Sequence, residues 1–269
     1  MNKNKFIKKI LNFLDNYIDL QKVRNIIFLK NFLFYYIKYI IFFLFLTKKI
    51  KIKNKIILNS LPYSMAGVWA LENCYNMINY INKKKIIGDI CEFGVAKGGS
   101  SLVMALTEIN INKFSKRIFY LFDSFEGLPA PDLNKDFDSQ GSIGSVLMPL
   151  KEGSLYSHLK KVKKVFYEYF NFSTKKIIFV KGFFNITAKK YAKRIGKVSI
   201  LRLDGDWYHS IFLPLKYYYP KVSKGGVIII DDYNTCVGAK SALNDYQKEI
   251  NQKFNLIKYS KGGVYFFKS

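Results

Sequence analysis

The segment I-I-G-D-I-C-E-F-G-V-A-K-G-G-S-S, residues 86–101, constrains this chain more than any other stretch. Its first half is a short apolar, β-branched run, the pattern of a strand buried in a parallel sheet. Its second half is a glycine turn leading into the helix formers Leu102, Met104, Ala105 and Leu106. A strand, a tight loop and a helix start in that order aim backbone N–H groups and the positive end of a helix dipole beyond the strand's carboxyl edge. Spacing excludes two common phosphate-binding loops. G-x-G-x-x-G needs glycine where Ala96 stands, and G-x-x-x-x-G-K-[ST], laid on Gly94 and Gly99, meets Ser100 in place of lysine. The pattern that fits is an acidic residue followed by G-x-x-x-G: Glu92, Gly94 and Gly98.

The strand theme recurs downstream. Residues 117–123, R-I-F-Y-L-F-D, end on Asp123. Residues 176–181 form a third run, 197–203 lead into Asp204-Gly205-Asp206, and 226–230 lead into Asp231-Asp232. Helical patterns fall at 60–81, 154–169 and 210–219, the last carrying Pro214, which predicts a kink or a late start. Residues 130–153 are polar and aperiodic, as expected of a lid or an unstructured loop. The tail N-L-I-K-Y-S-K-G-G-V-Y-F-F-K reads as strand, turn and strand. The order predicts an α/β fold: a Rossmann-like, doubly wound, mostly parallel seven-stranded sheet, closed by an antiparallel C-terminal hairpin. Its ligand belongs at the carboxyl ends of the strands.

Carboxylates collect at that edge. Asp204, Asp206, Asp231 and Asp232 follow two consecutive parallel strands, beside the opening of the Glu92–Gly98 loop. So many negative charges repel one another unless a cation joins them, and an all-oxygen set suits Mg²⁺ better than Zn²⁺. Only two histidines, His158 and His209, are present, and no cysteine is expected nearby. The competing expectation is that these aspartates cap turns and pair with lysines. For Asp123 likewise, a ribose-binding role competes with capping the turn S-F-E-G-L-P that follows.

The net charge of +25 invites a nucleic-acid function, but only four of the 44 basic residues are arginine, the usual reader of phosphates and base edges. Specific nucleic-acid recognition is therefore not expected. Three cysteines without metal spacing fit a reducing, cytoplasmic setting. Residues 1–59 hold 13 basic and two acidic side chains and form a basic, hydrophobic helical segment ahead of a domain at 60–269. Residues 3–20 are amphipathic. Residues 26–46 are apolar but interrupted by Lys30, Asn31 and Lys38, and a lysine near the centre of a span costs roughly 2.5–3.5 kcal/mol. Three placements stay open: a helix lying on the inner face of a membrane, a helix packed on the catalytic domain or on a second subunit of a homo-oligomer, and a true span.

Five motifs in order, G-D-I-C-E-F-G-V-A-K-G-G-S-S, L-F-D-S-F-E-G-L-P, V-K-G-F-F, L-R-L-D-G-D-W-Y and P-K-V-S-K-G-G-V-I-I-I-D-D-Y, resemble the macrocin O-methyltransferase (TylF/MycF-type) family from about Pro62 to the C-terminus. The resemblance implies Mg²⁺-dependent transfer of a methyl group from S-adenosylmethionine to a hydroxyl of a sugar or glycoconjugate, a small-molecule or glycan partner. By that resemblance Ser64, Glu92, Gly94, Gly98, Asp123, Ser124, Gly182, Phe183 and Asp206 would line the cofactor, with Phe183 where the family has tryptophan. Asp204, Asp231 and Asp232 would hold the metal. Asp204 is the expected proton acceptor, with Asp206 or His209 behind it, and His209 stands where relatives carry an acid. A catechol-like phenol acceptor uses the same metal logic, and a non-catalytic, membrane-tethered relative is the alternative from outside enzymology.

Overall fold

A computed structural model describes residues 52–143 and 150–269. The helices expected over residues 3–20 and 26–46 lie outside the described residues. Among the described residues no helix is long and apolar enough to cross a membrane. The chain divides into two compact units between Pro62 and Tyr63. Helix α1 (Ile52–Ser60) belongs to the first, and Ser60 Oγ closes its last turn by donating to the Ile56 carbonyl at 2.9 Å.

The second unit is built on a seven-stranded sheet of order β3-β2-β1-β4-β5-β7-β6. Its strands are β1 (Asp89–Phe93), β2 (Phe119–Asp123), β3 (Ile177–Lys181), β4 (Val198–Leu203), β5 (Val222–Ile230), β6 (Ile257–Lys258) and β7 (Val264–Phe267). The first five run parallel, and β7 pairs antiparallel with both β5 and β6. This is the expected doubly wound fold with its terminal hairpin. Side chains alternate across the sheet with a period of two, so each central strand serves two layers. Cys91, Phe93, Leu201, Leu203, Ile228 and Ile230 join one core with α5 (Phe184–Ala192), α6 (Tyr208–Tyr218) and α7 (Val237–Glu249). The intervening residues Glu92 and Arg202, register partners on β1 and β4, point the other way. On that side α2 (Val68–Lys83) packs against α3 (Gly99–Ile111).

Several elements differ from the sequence expectation in where they start. The pattern at 60–81 becomes a helix only at Val68, after a 3₁₀ turn over Leu61–Tyr63. That at 154–169 yields α4 (Leu159–Lys164), continued by a π-helical turn, Val165–Tyr169, which sets the Phe166 ring against Gly98. Helix α6 starts at Tyr208, earlier than expected, and keeps Pro214 in its interior. Helix α5 has no counterpart among the helical patterns read from the sequence, and neither does helix α7. Its small buried residues Gly238, Ala239 and Ala242 lie on the face that packs inward.

The described part of the long loop is pinned rather than unstructured. Asp136 Oδ1 accepts the Tyr208 N–H at 2.6 Å, and its Oδ2 accepts the Asp132 N–H at 2.7 Å. Trp207 Nε1 donates to the Pro129 carbonyl at 2.9 Å. Gly238 makes room for this arrangement, because a Cβ there would lie 1.8 Å from Asp136 Oδ1.

Candidate active site

The glycine loop sits where β1 ends. Gly94 has φ +93°, and a Cβ on it would lie 1.8 Å from the Asp204 carbonyl oxygen, so the loop and the tip of β4 touch backbone to backbone. Gly98, at φ +94°, begins α3, and its open side faces the Phe166 ring. Gly99 lies against Ser64, whose Cα and Cβ would be 2.5 Å from an added Cβ, while Ser64 Oγ donates to the Ala66 carbonyl. Ser64, Gly94 and Gly98 are thus assembled around one loop.

Asp123 closes the loop from β2. Its Oδ2 accepts the N–H groups of Val95 and Ala96 at 2.9 and 2.8 Å, and Oδ1 accepts that of Phe125 at 2.6 Å. Burial pushes its carboxyl above the ordinary range, and the three N–H bonds pull it back. Ser124 is buried, with Oγ donating to the Gly127 carbonyl at 2.6 Å. Gly182, at φ +135°, donates its N–H to the Asp123 carbonyl, and Phe183 stands at the N-cap of α5.

Glu92 faces inward. It is 0% exposed, and both of its oxygens are occupied: Ser100 Oγ donates to Oε1 at 2.5 Å, Ser101 Oγ donates to Oε2, and Arg202 Nη1 reaches Oε1 at 2.7 Å. Burial raises its carboxyl, opposed by the Arg202 charge and the serine bonds. Its visible role is to anchor the start of α3, with no oxygen turned toward a ligand.

Asp204, Asp231 and Asp232 each offer a carboxylate oxygen within 4.8 Å of the others. The metal set expected from the sequence therefore converges, next to the Gly94 loop. Asp206 lies slightly apart at φ +59°, within a second group formed by Asp206, Asp232 and Cys236. Cys236 Sγ is 3.6 Å from Asp206 Oδ1, which corrects the expectation that no cysteine lies near. Burial, followed by the charge of Asp204, moves Asp206 up to about 7 and Asp231 up to about 6, and Asp232 rises well above its ordinary value from burial and Asp206. Burial also drives the Cys236 thiol upward. His209 lies outside the cluster, largely exposed, with Nε2 3.0 Å from Asp132 Oδ2.

Sequence reasoning missed two residues here. Arg202, 0% exposed, places Nη1 2.8 Å from Asp204 Oδ2 and Nη2 3.2 Å from Asp231 Oδ1. Burial works against its charge, and Asp204, Asp231 and Glu92 together outweigh that. Tyr259, from the C-terminal hairpin, donates its hydroxyl to Asp231 Oδ1. The one available signal was the spacing of Arg202, on β4, and Asp204, just past its end, two apart in extended chain and hence on one face.

One arginine does not balance this many acids. Asp232 Oδ2 is sealed from solvent without a hydrogen-bond partner, and Asp232 offers a carboxylate oxygen within 4.8 Å of those of Asp204 and Asp231. An all-oxygen set with an unpaired buried oxygen fits a hard divalent cation.

A parallel sheet with a glycine loop and an acidic rim at its carboxyl edge defines a Rossmann-like, doubly wound scaffold with its ligand site at that edge. The chain belongs to the macrocin O-methyltransferase (TylF) family, whose profile matches residues 47–268, and it is an S-adenosylmethionine-dependent O-methyltransferase. Among curated proteins it is 30% identical over 205 residues to the demethyldecarbamoylnovobiocin O-methyltransferase of Streptomyces niveus, covering 76% of this chain and 74% of that one. It is 29% identical over 188 residues, 70% of this chain and 69% of the other, to the 8-demethyl-8-(2,3-dimethoxy-α-L-rhamnosyl)-tetracenomycin-C 4'-O-methyltransferase of Streptomyces olivaceus. The solved structure of the O-methyltransferase NovP superposes with a TM-score of 0.66 at 29% identity, covering 77% of this chain and 82% of that one.

Proposed function

We propose that this enzyme moves the methyl group of S-adenosylmethionine to a sugar hydroxyl with the help of Mg²⁺ held by Asp204, Asp231 and Asp232. The observation that carries the reading is the convergence of those three carboxylates beside the Gly94 loop. Relatives support the acceptor class, since one of them is named for methylating a rhamnosyl group.

Ser64, Gly94, Gly98, Asp123, Ser124, Gly182 and Phe183 surround the cofactor's place, and Asp123, at the tip of β2 beside the glycine loop, takes a ribose hydroxyl. Asp206 lies behind the cofactor side, and Glu92 acts from beneath the loop. A divalent cation supplies charge that orients neighbouring hydroxyls and lowers the pKa of the one to be methylated. Asp204 is the proton acceptor: one oxygen is tied to Arg202, the other faces the acidic rim, and its side chain is 25% exposed. Asp206 is bound up with Cys236 and His209 with Asp132, which leaves both less suited. The rest of the rate comes from holding acceptor and donor in line, an effect worth up to ~7–11 kcal/mol.

The reading extends to residues 1–59 as a separate segment from 60–269. Its basic excess suits an anionic lipid surface at the cytoplasmic face, and a lipid-linked acceptor would meet the domain there. Co-sedimentation with phosphatidylserine vesicles tests this, and equal recovery of the protein without vesicles counts against it.

The deciding experiment is calorimetry of Mg²⁺ and S-adenosylmethionine binding for the wild type and Asp231→Asn. Loss of metal binding with cofactor binding kept is the expected result. A wild type that binds the cofactor and methylates acceptors in excess EDTA would sink the metal reading.

A further inference from the structure

Arg202 sits in the middle of the sheet, on β4 between β1 and β5, where its register partners are Glu92 and Ile229. Central strands of parallel sheets are apolar on both faces, and a buried ion cluster is usually no more stabilising than packed hydrocarbon. A guanidinium here calls for another reason, and its contacts supply one. Nη1 lies on Asp204 Oδ2 and Nη2 faces Asp231 Oδ1, so each contact engages one oxygen of a carboxylate. Behind, the same Nη1 is held by Glu92 Oε1, which Ser100 and Ser101 lock to the start of α3. Nε and Nη2 have no well-formed hydrogen bond of their own, so the fork is set by the charges around it.

We propose that Arg202 is a positioning residue. Its guanidinium, hydrogen-bonded to Asp204 and ion-paired with Asp231, orients both carboxylates toward the place where, with Asp232, they would hold a divalent cation, and Glu92 is the counter-anchor that keeps the guanidinium in place. The proposal rests on the metal reading above. Lysine at this position keeps the charge and has three donors, but on one nitrogen at the end of a flexible stem instead of two separated nitrogens in a rigid plane, so it fixes the two carboxylates less rigidly.

The test uses the full chain with Mn²⁺ as the metal probe and S-adenosylhomocysteine as the cofactor probe. Mn²⁺ binding is read by electron paramagnetic resonance of the free ion, S-adenosylhomocysteine binding by calorimetry, and folding by circular dichroism. Arg202→Lys is expected to weaken Mn²⁺ binding about tenfold or more while the S-adenosylhomocysteine Kd stays within about threefold, the selective loss seen when a residue behind a metal ligand is changed. Wild-type Mn²⁺ affinity in R202K overturns the proposal, and so does an equal loss for both ligands, which marks a merely structural role. Asp232→Asn separates the two levels. If wild type binds no Mn²⁺, or D232N binds it as wild type does, the metal reading falls and takes the proposal with it. If D232N loses Mn²⁺ and R202K does not, only the proposal falls. Should R202K fail to fold, Tyr259→Phe decides: Arg202 alone then holds Asp231, and Mn²⁺ affinity is expected within about threefold of wild type. A Y259F loss as deep as that of D232N would overturn it.

Discussion

Gly94 has no side chain because the Asp204 carbonyl leaves no room for one. Gly94→Ala therefore combines strain at positive φ with a backbone clash, and the expected cost is about 3 kcal/mol, read as a lowered urea midpoint. At Asp123 the expectation concerns binding. Asp123→Ala releases the Val95, Ala96 and Phe125 N–H groups together, and S-adenosylhomocysteine affinity measured by calorimetry is expected to fall about tenfold or more. Residues of this kind were legible in the sequence because glycines and carboxylates at strand ends break an apolar pattern. Arg202 was not, since L-R-L-D reads as a strand with one polar interruption and its partner Glu92 is 110 positions away. Glu92 was legible as a position but not as a direction. Only the register of β1 on β4 shows that it faces an arginine and two serines.

Elements were legible in kind more than in extent. The strands announce themselves as β-branched runs, whereas helix starts depend on what docks there. Helix α6 begins at Tyr208 because Asp136, from a loop 72 positions earlier, accepts that first N–H. Helix α7 escaped notice because its buried face is built from glycine and alanine, which carry little hydrophobic signal. The Asp136 dock also makes a pH prediction. Burial raises its carboxyl, so the folded protein keeps the proton to higher pH than the unfolded chain does, and stability from this group is lost as pH rises above 3.8 through the raised value. Urea midpoints of wild type minus Asp136→Asn are expected to be larger at pH 3.5 than at pH 8. A gap that grows with pH would contradict the assignment.

At the scale of the whole molecule, the C-terminal hairpin belongs to the site as much as to the sheet. β7 covers the edge of β5, and Tyr259, in the turn that joins β6 to β7, holds Asp231. Removal of residues 257–269 is expected to expose β5 and leave insoluble protein, checked by the soluble fraction after expression. The π-helical turn at Val165–Tyr169 reaches the site from the opposite side. A widened turn is one residue longer than the α-helical path it replaces, so the ring it presents to Gly98 depends on a single insertion in the chain. Losing one residue there would wind the helix regularly and swing Phe166 by about 100°, away from the bend it now supports. Length, as distinct from composition, would then decide whether the loop keeps its shape, and a homologue short by one residue at this turn would need a different wall behind its glycine bend.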